Sequence, residues 1–252
     1  MSSLRLAQHF REIHHEHFVE IDSTHAYVLE RLEGGEVPGL PWLVTTDHQT
    51  AGMGRQGNVW FSKAGTMLQF NLTLAWVPLF DLYSPSLIAG LAVVRALEPL
   101  TMPPPRLKWP NDLLIAEKKV CGMLAKRIGH AVTFGIGINV TPRESDFPAF
   151  ADGYFPTSLA AHAAHGTPDR DGVLSAILLQ WEEVLAMTPE ALHEAIDERC
   201  HTIGRRVRVE LDGGSILEGV AERLDPPGVL MIRRADGGLV PCWAGHLREV
   251  AD

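Results

Sequence analysis

The sequence predicts an α+β protein with a larger N-terminal domain, residues 1–200, and a small C-terminal β-barrel, residues 201–252. In the first part, segments with a strand-like period of two and segments with a helix-like period of 3.6 both occur, which indicates a sheet packed with helices. After residue 204 the apolar residues tend to recur at every second position. Asp-Gly-Gly and Pro-Pro-Gly turns separate these short strands, a pattern that is typical of a small antiparallel barrel.

The composition is that of a globular protein in a reducing compartment. Hydrophobic residues make up 46% of the 252 residues and charged residues 21%, and no stretch is apolar for long enough to cross a membrane. Residues 1–18 lack the apolar core of a secretory signal, and three distant cysteines argue against a disulfide framework. The net charge of −9 disfavours non-specific binding to nucleic acid or membranes. We therefore expect a cytoplasmic protein with neither kind of partner.

The first elements lead into a glycine-rich loop. The first element begins at Glu20, after three histidines in a polar segment that lacks metal-ligand spacing. Ser23 or Thr24 can cap a helix that two glycines end. Residues 42–46 form a short strand. Residues 67–76 alternate apolar and polar side chains, as in a strand with one buried face and one polar face.

The remaining elements are predicted from apolar periods of two or 3.6 residues. The predicted helices are residues 84–100, 172–187 and 189–200; the predicted strands are residues 134–140, 206–211, 216–223, 229–234 and 239–243. A further strand ends at Pro110, and a hairpin with a charged turn at residues 117–119 follows it. We place the domain boundary near His201.

The loop at residues 46–60 contains Gly52, Gly54 and Gly57 around Arg55. Glycines leave backbone N–H groups uncovered, so this loop can wrap an anion to which Arg55 adds a planar, always-charged fork. The absence of a following Gly-Lys-Ser/Thr excludes a P-loop, and the absence of a following helix excludes the dinucleotide-binding pattern. Taken alone, such a loop is more often a plain mobile turn.

Residues far from the loop in sequence also favour anion binding. Lys108 ends a strand, Lys119 lies on the tight hairpin, and Asn139 ends a strand with two glycines. Gly122 interrupts the strand after the hairpin, and a glycine in that position often marks a bulge or a close approach of a ligand to the backbone. In an acidic protein these cations indicate a local anion site. The alternative for the lysine pair at residues 118–119 is a solvated turn.

Five short motifs follow one another along the chain. They are Ile-Asp-Ser-Thr (21–24), Gln-Thr-Ala-Gly-Met-Gly-Arg-Gln-Gly (49–57), Lys-Trp-Pro-Asn-Asp (108–112), Lys-Val-Cys-Gly (119–122) and Gly-Ile-Gly-Ile-Asn (135–139). With these motifs and the small barrel, the chain resembles the biotin protein ligases over nearly its whole length. The resemblance implies a class II synthetase-like catalytic domain, with a mixed or antiparallel sheet packed with helices, that binds biotin and ATP and is followed by an SH3-like barrel.

The resemblance also implies a two-step reaction. Biotin and MgATP give biotinyl-5′-AMP and pyrophosphate, and the biotinyl group then passes to a lysine of a biotin carboxyl carrier protein, part of acetyl-CoA carboxylase or a related carboxylase. By the same resemblance, Lys119 would be the principal catalytic cation, Lys108 would assist it, and Arg55 would hold the adenylate. Asp112 is a Mg²⁺ ligand or a lysine partner, or else only a turn residue.

The implied binding residues follow from the same motifs. For biotin they are Ser23, Thr24, Gln49, Gly52, Met53, Gly54, Arg55, Trp60, Lys119 and Gly122. For ATP they are Arg55, Gly57, Lys108, Asn111 and Asn139, with Tyr154 or Phe155 stacked on the adenine ring. Members of the family often carry Arg where Met53 stands, and basic residues where Gln56 and Asn58 stand. Arg55 therefore carries more of the positive charge of this loop.

Alternatives remain for activity and assembly. Nothing before Ile21 is long enough for the winged helix-turn-helix of the ligases that also repress transcription, which disfavours DNA binding. A lipoate or octanoate–protein ligase shares the fold and the adenylate chemistry. A non-catalytic biotin-binding module is the alternative from another class. We expect a monomer or a weak homodimer.

Overall fold

A computed structural model describes residues 12–148, 155–211 and 214–250. The strands in these ranges are β1 (His14–Ile21), β2 (Trp42–Gln49), β3 (Met67–Ala75), β4 (Arg106–Lys108), β5 (Asp112–Ile115), β6 (Lys118–Ile128), β7 (Ala131–Asn139), β8 (Arg206–Glu210), β9 (Ile216–Asp225), β10 (Val229–Arg233), β11 (Leu239–Cys242) and β12 (His246–Glu249). The α-helices are α1 (Thr24–Glu33), α2 (Leu79–Leu82), α3 (Pro85–Leu97), α4 (Arg170–Leu185) and α5 (Pro189–Arg199). None of these helices has the length and apolar character needed to cross a membrane.

The larger sheet has the strand order β1-β2-β3-β7-β6-β5-β4. The β1–β2 pair is parallel and the other pairs are antiparallel, which confirms the predicted mixed sheet. Met67 lies opposite Asn139, and Cys121 lies opposite Ile138. The first residues of β3 and β6 are therefore beside the last residues of β7, and this edge of the sheet brings distant motifs together.

The two faces of β3 belong to different layers. Its apolar face, which includes Phe70 and Leu72, joins the main core with α3 and α4. Its other face carries Gln69, Asn71 and Thr73 and packs toward α1. The predicted alternation is confirmed, but the polar face is also buried because elements cover the sheet on both sides.

The C-terminal sheet has the order β11-β10-β9-β8-β12, with every pair antiparallel. The four predicted strands are confirmed, and β12 is an additional strand that pairs with β8. Only Leu247 of its four residues is buried, so its sequence carries no clear strand period. The second sheet begins at Arg206. The domain boundary near His201 stays a prediction.

Three local predictions are wrong. The first element is β1, which includes His14, His15 and His17; parallel pairing with β2, and not an apolar face, holds it in the sheet. The charged turn is formed by Ala116 and Glu117, whose φ angles are 47° and 62°, so Lys119 lies inside β6. The strand before Pro110 ends at Lys108, because proline has no N–H to donate to a strand ladder.

Candidate active site

A cavity of about 1150 Å³ lies at the edge of the larger sheet where β6 begins and β7 ends. The start of α1, the glycine-rich loop, the β4–β5 turn and the C-terminal sheet contribute to its wall. Ser23, Gly54 and Lys119 all line this cavity. Three motifs that are far apart in sequence therefore meet around a single space.

The glycine-rich loop forms a narrow hairpin at the cavity. Met53 pairs with Val59 in an antiparallel bridge, and the Gly54 N–H donates to the Asn58 carbonyl at 2.7 Å. The exposed tip turns through left-handed conformations at Gln56 (φ 53°) and Gly57 (φ 78°). Glycine adopts this conformation without strain, so Gly57 serves the turn itself. The loop is closed at its base and open to solvent at its tip.

The carboxylate of Asp112 lies between two lysines. Lys119 Nζ is 2.7 Å from Asp112 Oδ1, and Lys108 Nζ is 3.8 Å from Oδ2. Burial lowers the pKa of Lys108; the Asp112 charge acts in the opposite direction, while Lys119 and Arg55 lower it further. The structure therefore gives Asp112 the position of a counter-ion to the lysines, one of the alternatives that the sequence left open.

Arg55 connects the glycine-rich loop to both domains. Its Nη1 donates to Asn111 Oδ1 at 3.1 Å and to the Gly245 carbonyl, in the C-terminal domain, at 3.4 Å. Asn111 is itself held by a hydrogen bond from Nδ2 to the Met123 carbonyl at 2.9 Å. In this structure Asn111 is thus the residue that orients Arg55 toward the cavity.

Ser23, Thr24 and Gln49 form the polar end of the cavity. Ser23 Oγ accepts from the Ala26 N–H at 3.3 Å and caps α1, so this residue has a structural role as well as a place in the wall. The Thr24 N–H and Oγ1 both donate to Gln49 Oε1, at 2.8 and 3.0 Å. A Cβ on Gly52 would lie 3.0 Å from Gln49 Nε2 and 2.6 Å from the Trp60 carbonyl. Gly52 is therefore needed for the loop to pass this side chain.

The indole of Trp60 lies against the backbone of β6 and β7. A Cβ on Gly122 would be 2.8 Å from Trp60 Cζ3, and one on Gly137 would be 2.5 Å from Nε1. Lys119 Nζ is 5.5 Å from the ring centroid, within the range of a cation–π contact. The sequence predicted that a ligand approaches Gly122. In this structure the group that approaches Gly122 is the Trp60 ring.

Asn139 connects the ends of β6 and β7. Its Nδ2 donates to the Thr157 carbonyl at 2.8 Å and to the Lys119 carbonyl at 3.4 Å. Within the described ranges its enclosed Oδ1 has no hydrogen-bond partner. The Phe155 side chain is 66% exposed and lies outside the cavity wall, and its contact with the adenine ring stays a prediction. Tyr154 lies outside the described residues.

The cavity wall also contains residues that the sequence did not single out. They include His25, Phe61, Phe147 and Arg248. His25 directly follows the Ser-Thr motif, so its place on the first turn of α1 could have been deduced. Arg248 belongs to β12, and the strand had to be recognised before its side chain could be placed. Phe61 and Phe147 pack on each other with ring centroids 5.6 Å apart, a contact that no spacing reveals.

Comparisons with known proteins agree with this arrangement. The sequence model described as the biotin/lipoate A/B protein ligase family matches residues 18–142, and that described as the biotin protein ligase C terminal domain matches residues 202–247. The biotin--[acetyl-CoA-carboxylase] ligase of Mycobacterium tuberculosis is 35% identical over 238 residues, which cover 90% of this chain and 86% of that protein. The bifunctional ligase/repressor BirA of Bacillus subtilis is 34% identical over 207 residues, 77% of this chain and 62% of that protein.

A solved structure, the biotin protein ligase from Aquifex aeolicus in complex with biotin and ATP, has a TM-score of 0.78 at 28% identity and covers 94% of this chain and 99% of that one. The mixed sheet with its cation-lined cavity, joined to a small antiparallel sheet, defines the class of the biotin/lipoate protein ligases. Within this class, the match to the biotin protein ligase C terminal domain and the long alignment at 35% identity select the biotin protein ligases. The chain belongs to the biotin protein ligase family, and it is an enzyme of the ligase class.

Proposed function

We propose that this enzyme activates biotin with ATP as biotinyl-5′-AMP and transfers the biotinyl group to a lysine of a biotin carboxyl carrier protein. The observation that carries the proposal is the convergence of Lys119, Lys108 and Arg55 on one cavity that also has the polar end formed by Ser23 and Gln49. A site of this kind has a place for a neutral polar head group and a separate place for phosphates.

The first step needs positive charge. The biotin carboxylate attacks the α-phosphate of ATP, pyrophosphate leaves, and the two reactants are both anions. Fixed cations in a site that excludes water stabilise the charge that develops on the phosphoryl oxygens. Of the three cations named above, Lys119 has its Nζ 2.7 Å from Asp112 and lies beside Trp60, and we assign it the main role. Arg55, held by Asn111, reaches the same space from the loop.

Mg²⁺ enters this reaction as part of the MgATP substrate. Asp112 does not fit a resident Mg²⁺ ligand, since its two oxygens face Lys119 and Lys108. Mg²⁺ is bound by one or two carboxylates together with water and phosphate oxygens. At Asp112 the ion would compete with both lysines for the same carboxylate oxygens. We therefore assign Asp112 to holding the lysines in place until the nucleotide arrives.

The second step passes the biotinyl group to the carrier. The ε-amine of the carrier lysine attacks the acyl carbon of biotinyl-5′-AMP, an amide bond forms, and AMP leaves. The glycine-rich loop limits access of water to the acyl-adenylate, which would otherwise be hydrolysed. The carrier as a domain of acetyl-CoA carboxylase, the monomeric or weakly dimeric state and the cytoplasmic location stay predictions.

One assay tests the proposal and both alternatives. The enzyme is incubated with MgATP, an apo carrier domain and either biotin or lipoate, and the intact mass of the carrier is measured. We expect the mass to rise by one biotinyl group with biotin alone. A rise with lipoate alone would instead support the lipoate–protein ligase. No change with either acid, under conditions in which biotin still binds, would support the non-catalytic module.

A further inference from the structure

His25 lines the cavity at the polar end formed by Ser23, Thr24 and Gln49, and none of the five sequence motifs assigns it a role. It lies in the first turn of α1, next to Thr24, and only 7% of its surface is exposed. The ring edge packs on β7, since a Cβ on Gly135 would lie 2.9 Å from His25 Cγ and 3.0 Å from Nδ1. Its Nδ1 is 3.0 Å from Asn71 Nδ2. The tautomer of this ring therefore depends on the orientation of the Asn71 amide.

The neighbours of Asn71 fix that orientation. The Thr133 hydroxyl donates to Asn71 Oδ1 at 2.7 Å, and the Thr73 hydroxyl donates to it at 3.0 Å. A separation of 2.7 Å is usual for an O–H···O hydrogen bond and short for an N–H···O bond. The oxygen of the amide therefore faces the two threonines, and the NH₂ group faces His25.

The tautomer of His25 follows from this orientation. An amide NH₂ only donates, so His25 Nδ1 has to accept, and a neutral ring then carries its proton on Nε2. Burial, followed by the charge of Lys126, lowers the pKa of His25 to about 4, which keeps the ring neutral near pH 7. None of the described residues forms a hydrogen bond to Nε2, and Nε2 is not among the enclosed polar atoms that lack a partner, so it is open to the cavity. Since His25 lines the cavity, this N–H is available to a ligand.

Gln49, which also lines the cavity and is hydrogen-bonded to Thr24, points to the same ligand chemistry. Gln49 Oε1 already accepts two hydrogen bonds from Thr24, and this leaves the NH₂ of Gln49 as the part that can serve a ligand. Two side chains thus offer donors, which calls for an acceptor oxygen in the bound head group. We propose that His25 Nε2–H is a hydrogen-bond donor to the biotin head group, and that Asn71 is the positioning residue that keeps the proton on Nε2. This inference rests on the proposed function.

The tautomer is tested first, in the unliganded protein, by ¹⁵N NMR of the histidine side chains near pH 7. We expect the His25 proton on Nε2 in the wild type and a mixture of tautomers in Asn71→Ala, because the donor to Nδ1 is lost. A proton on Nδ1 in the wild type would overturn the inference. An unchanged, pure Nε2–H form in Asn71→Ala would overturn the role of Asn71.

Binding is tested by calorimetry with biotin. His25→Phe keeps a ring without a donor, and we expect its Kd for biotin to rise about tenfold, with the KM for ATP unchanged. His25→Gln places an amide NH₂ near the position of Nε2 and should restore most of the affinity, while His130→Phe, in the exposed β6–β7 turn, should have the wild-type Kd. A wild-type Kd in His25→Phe, or equal losses in His25→Phe and His25→Gln, would overturn the inference. A wild-type protein that does not bind biotin would instead refute the proposed function.

Discussion

Two adjacent lysines at the start of β6 allow a matched comparison. Lys119 reaches into the cavity and contacts Asp112, whereas Lys118 Nζ lies 3.6 Å from Glu144 and its side chain is 41% exposed. We expect Lys119→Ala to slow biotinyl-5′-AMP formation by a factor on the order of 10²–10³, as for loss of a group that stabilises transition-state charge. The measurement is the rate of biotin-dependent pyrophosphate release in single-turnover experiments.

Lys118→Ala is the control for Lys119→Ala and should keep the wild-type rate, because an exposed ion pair contributes little. The biotin Kd of Lys119→Ala, measured by calorimetry, should change far less than its rate. Lys119 would lose its catalytic assignment if Lys119→Ala turned over like the wild type, or if both alanine variants were equally slow.

His25 also makes a prediction about stability. Its pKa in the folded protein is about 4, below the ordinary value of 6.5, mainly because the ring is buried. The unfolded chain therefore binds a proton at a higher pH than the folded protein does. The contribution of His25 to the free energy of unfolding is therefore fully present above about pH 6.5 and is lost as the pH falls toward 4. For a pKa shift of this size the loss is on the order of 3 kcal/mol.

Urea unfolding of the wild type and His25→Gln, at about pH 7.5 and about pH 4.5, measures this effect. Other groups titrate in the same interval, so the relevant quantity is the difference between the two proteins in their loss of unfolding free energy. We expect a smaller loss in His25→Gln, which has no imidazole at this position. Equal losses in the two proteins would show that His25 titrates normally in the fold.

At the level of elements, the glycine-rich loop makes a prediction about proteolysis. Arg55 lies just before the exposed tip, so trypsin cleavage after Arg55 reports how often the loop opens. Gly57→Ala places a side chain at φ 78°, at a cost of about 1 kcal/mol, and should speed this cleavage several-fold. Biotin with MgATP should slow it in the wild type. The rate is followed by the mass of the fragment that ends at Arg55.

Gly129→Ala is the matched control for this experiment. Gly129 also has a positive φ, 58°, and a Cβ there would meet no atom within 4 Å, so the backbone strain is similar but distant from the loop. Cleavage after Arg55 should be unchanged in Gly129→Ala. Equal acceleration in both variants would attribute the effect to lower global stability and not to the loop.

The elements that the sequence predicted well are those with a strong hydrophobic period. The α3 and α4 helices and β3 have apolar residues that pack into the main core, and their predicted bounds differ from the structure by a few residues. The motif residues could also be assigned to one site, because Ser23, Gly54 and Lys119 do line a common cavity. In both cases local sequence and tertiary packing specify the same structure.

The elements that the sequence did not predict depend on partners distant in the chain. β1 is mostly polar, with Phe18 as its contact with an apolar cluster, and it is ordered mainly by pairing with β2; β12 is ordered by pairing with β8. Ala116 and Glu117 have positive φ angles, which these residue types rarely adopt. The charged residues that follow therefore led to a predicted turn at residues 117–119. The packing of Trp60 on Gly122 and Gly137 could not be predicted from the sequence, since it requires β6 and β7 to be adjacent.

At the level of the whole molecule, the C-terminal domain completes the cavity, shares the main apolar core with the larger sheet, and forms specific hydrogen bonds with it. The Ser84 N–H, before α3, donates to the Pro227 carbonyl at 2.7 Å, and Trp109 Nε1 donates to the Gly228 carbonyl at 3.0 Å. The Trp109 N–H also donates to Thr202 Oγ1 at 3.0 Å. Trp109 belongs to the Lys-Trp-Pro-Asn-Asp motif. The residue after Lys108 therefore helps to hold the C-terminal domain, which contributes Arg248 to the cavity wall.

Trp109→Phe tests whether this domain junction supports catalysis. The variant keeps an aromatic ring in the core but removes the donor to the buried Gly228 carbonyl, which should lower the free energy of unfolding by about 1–3 kcal/mol. The position of the C-terminal wall then becomes less fixed, so we expect a higher KM for ATP together with the lower stability. Urea unfolding and steady-state kinetics measure the two effects. Trp181→Phe, at a buried indole that packs on Phe134 in the main core and away from the junction, is the matched control; it should lower the stability and leave the KM for ATP unchanged. Loss of stability in Trp109→Phe with an unchanged KM for ATP would show that the junction supports folding alone.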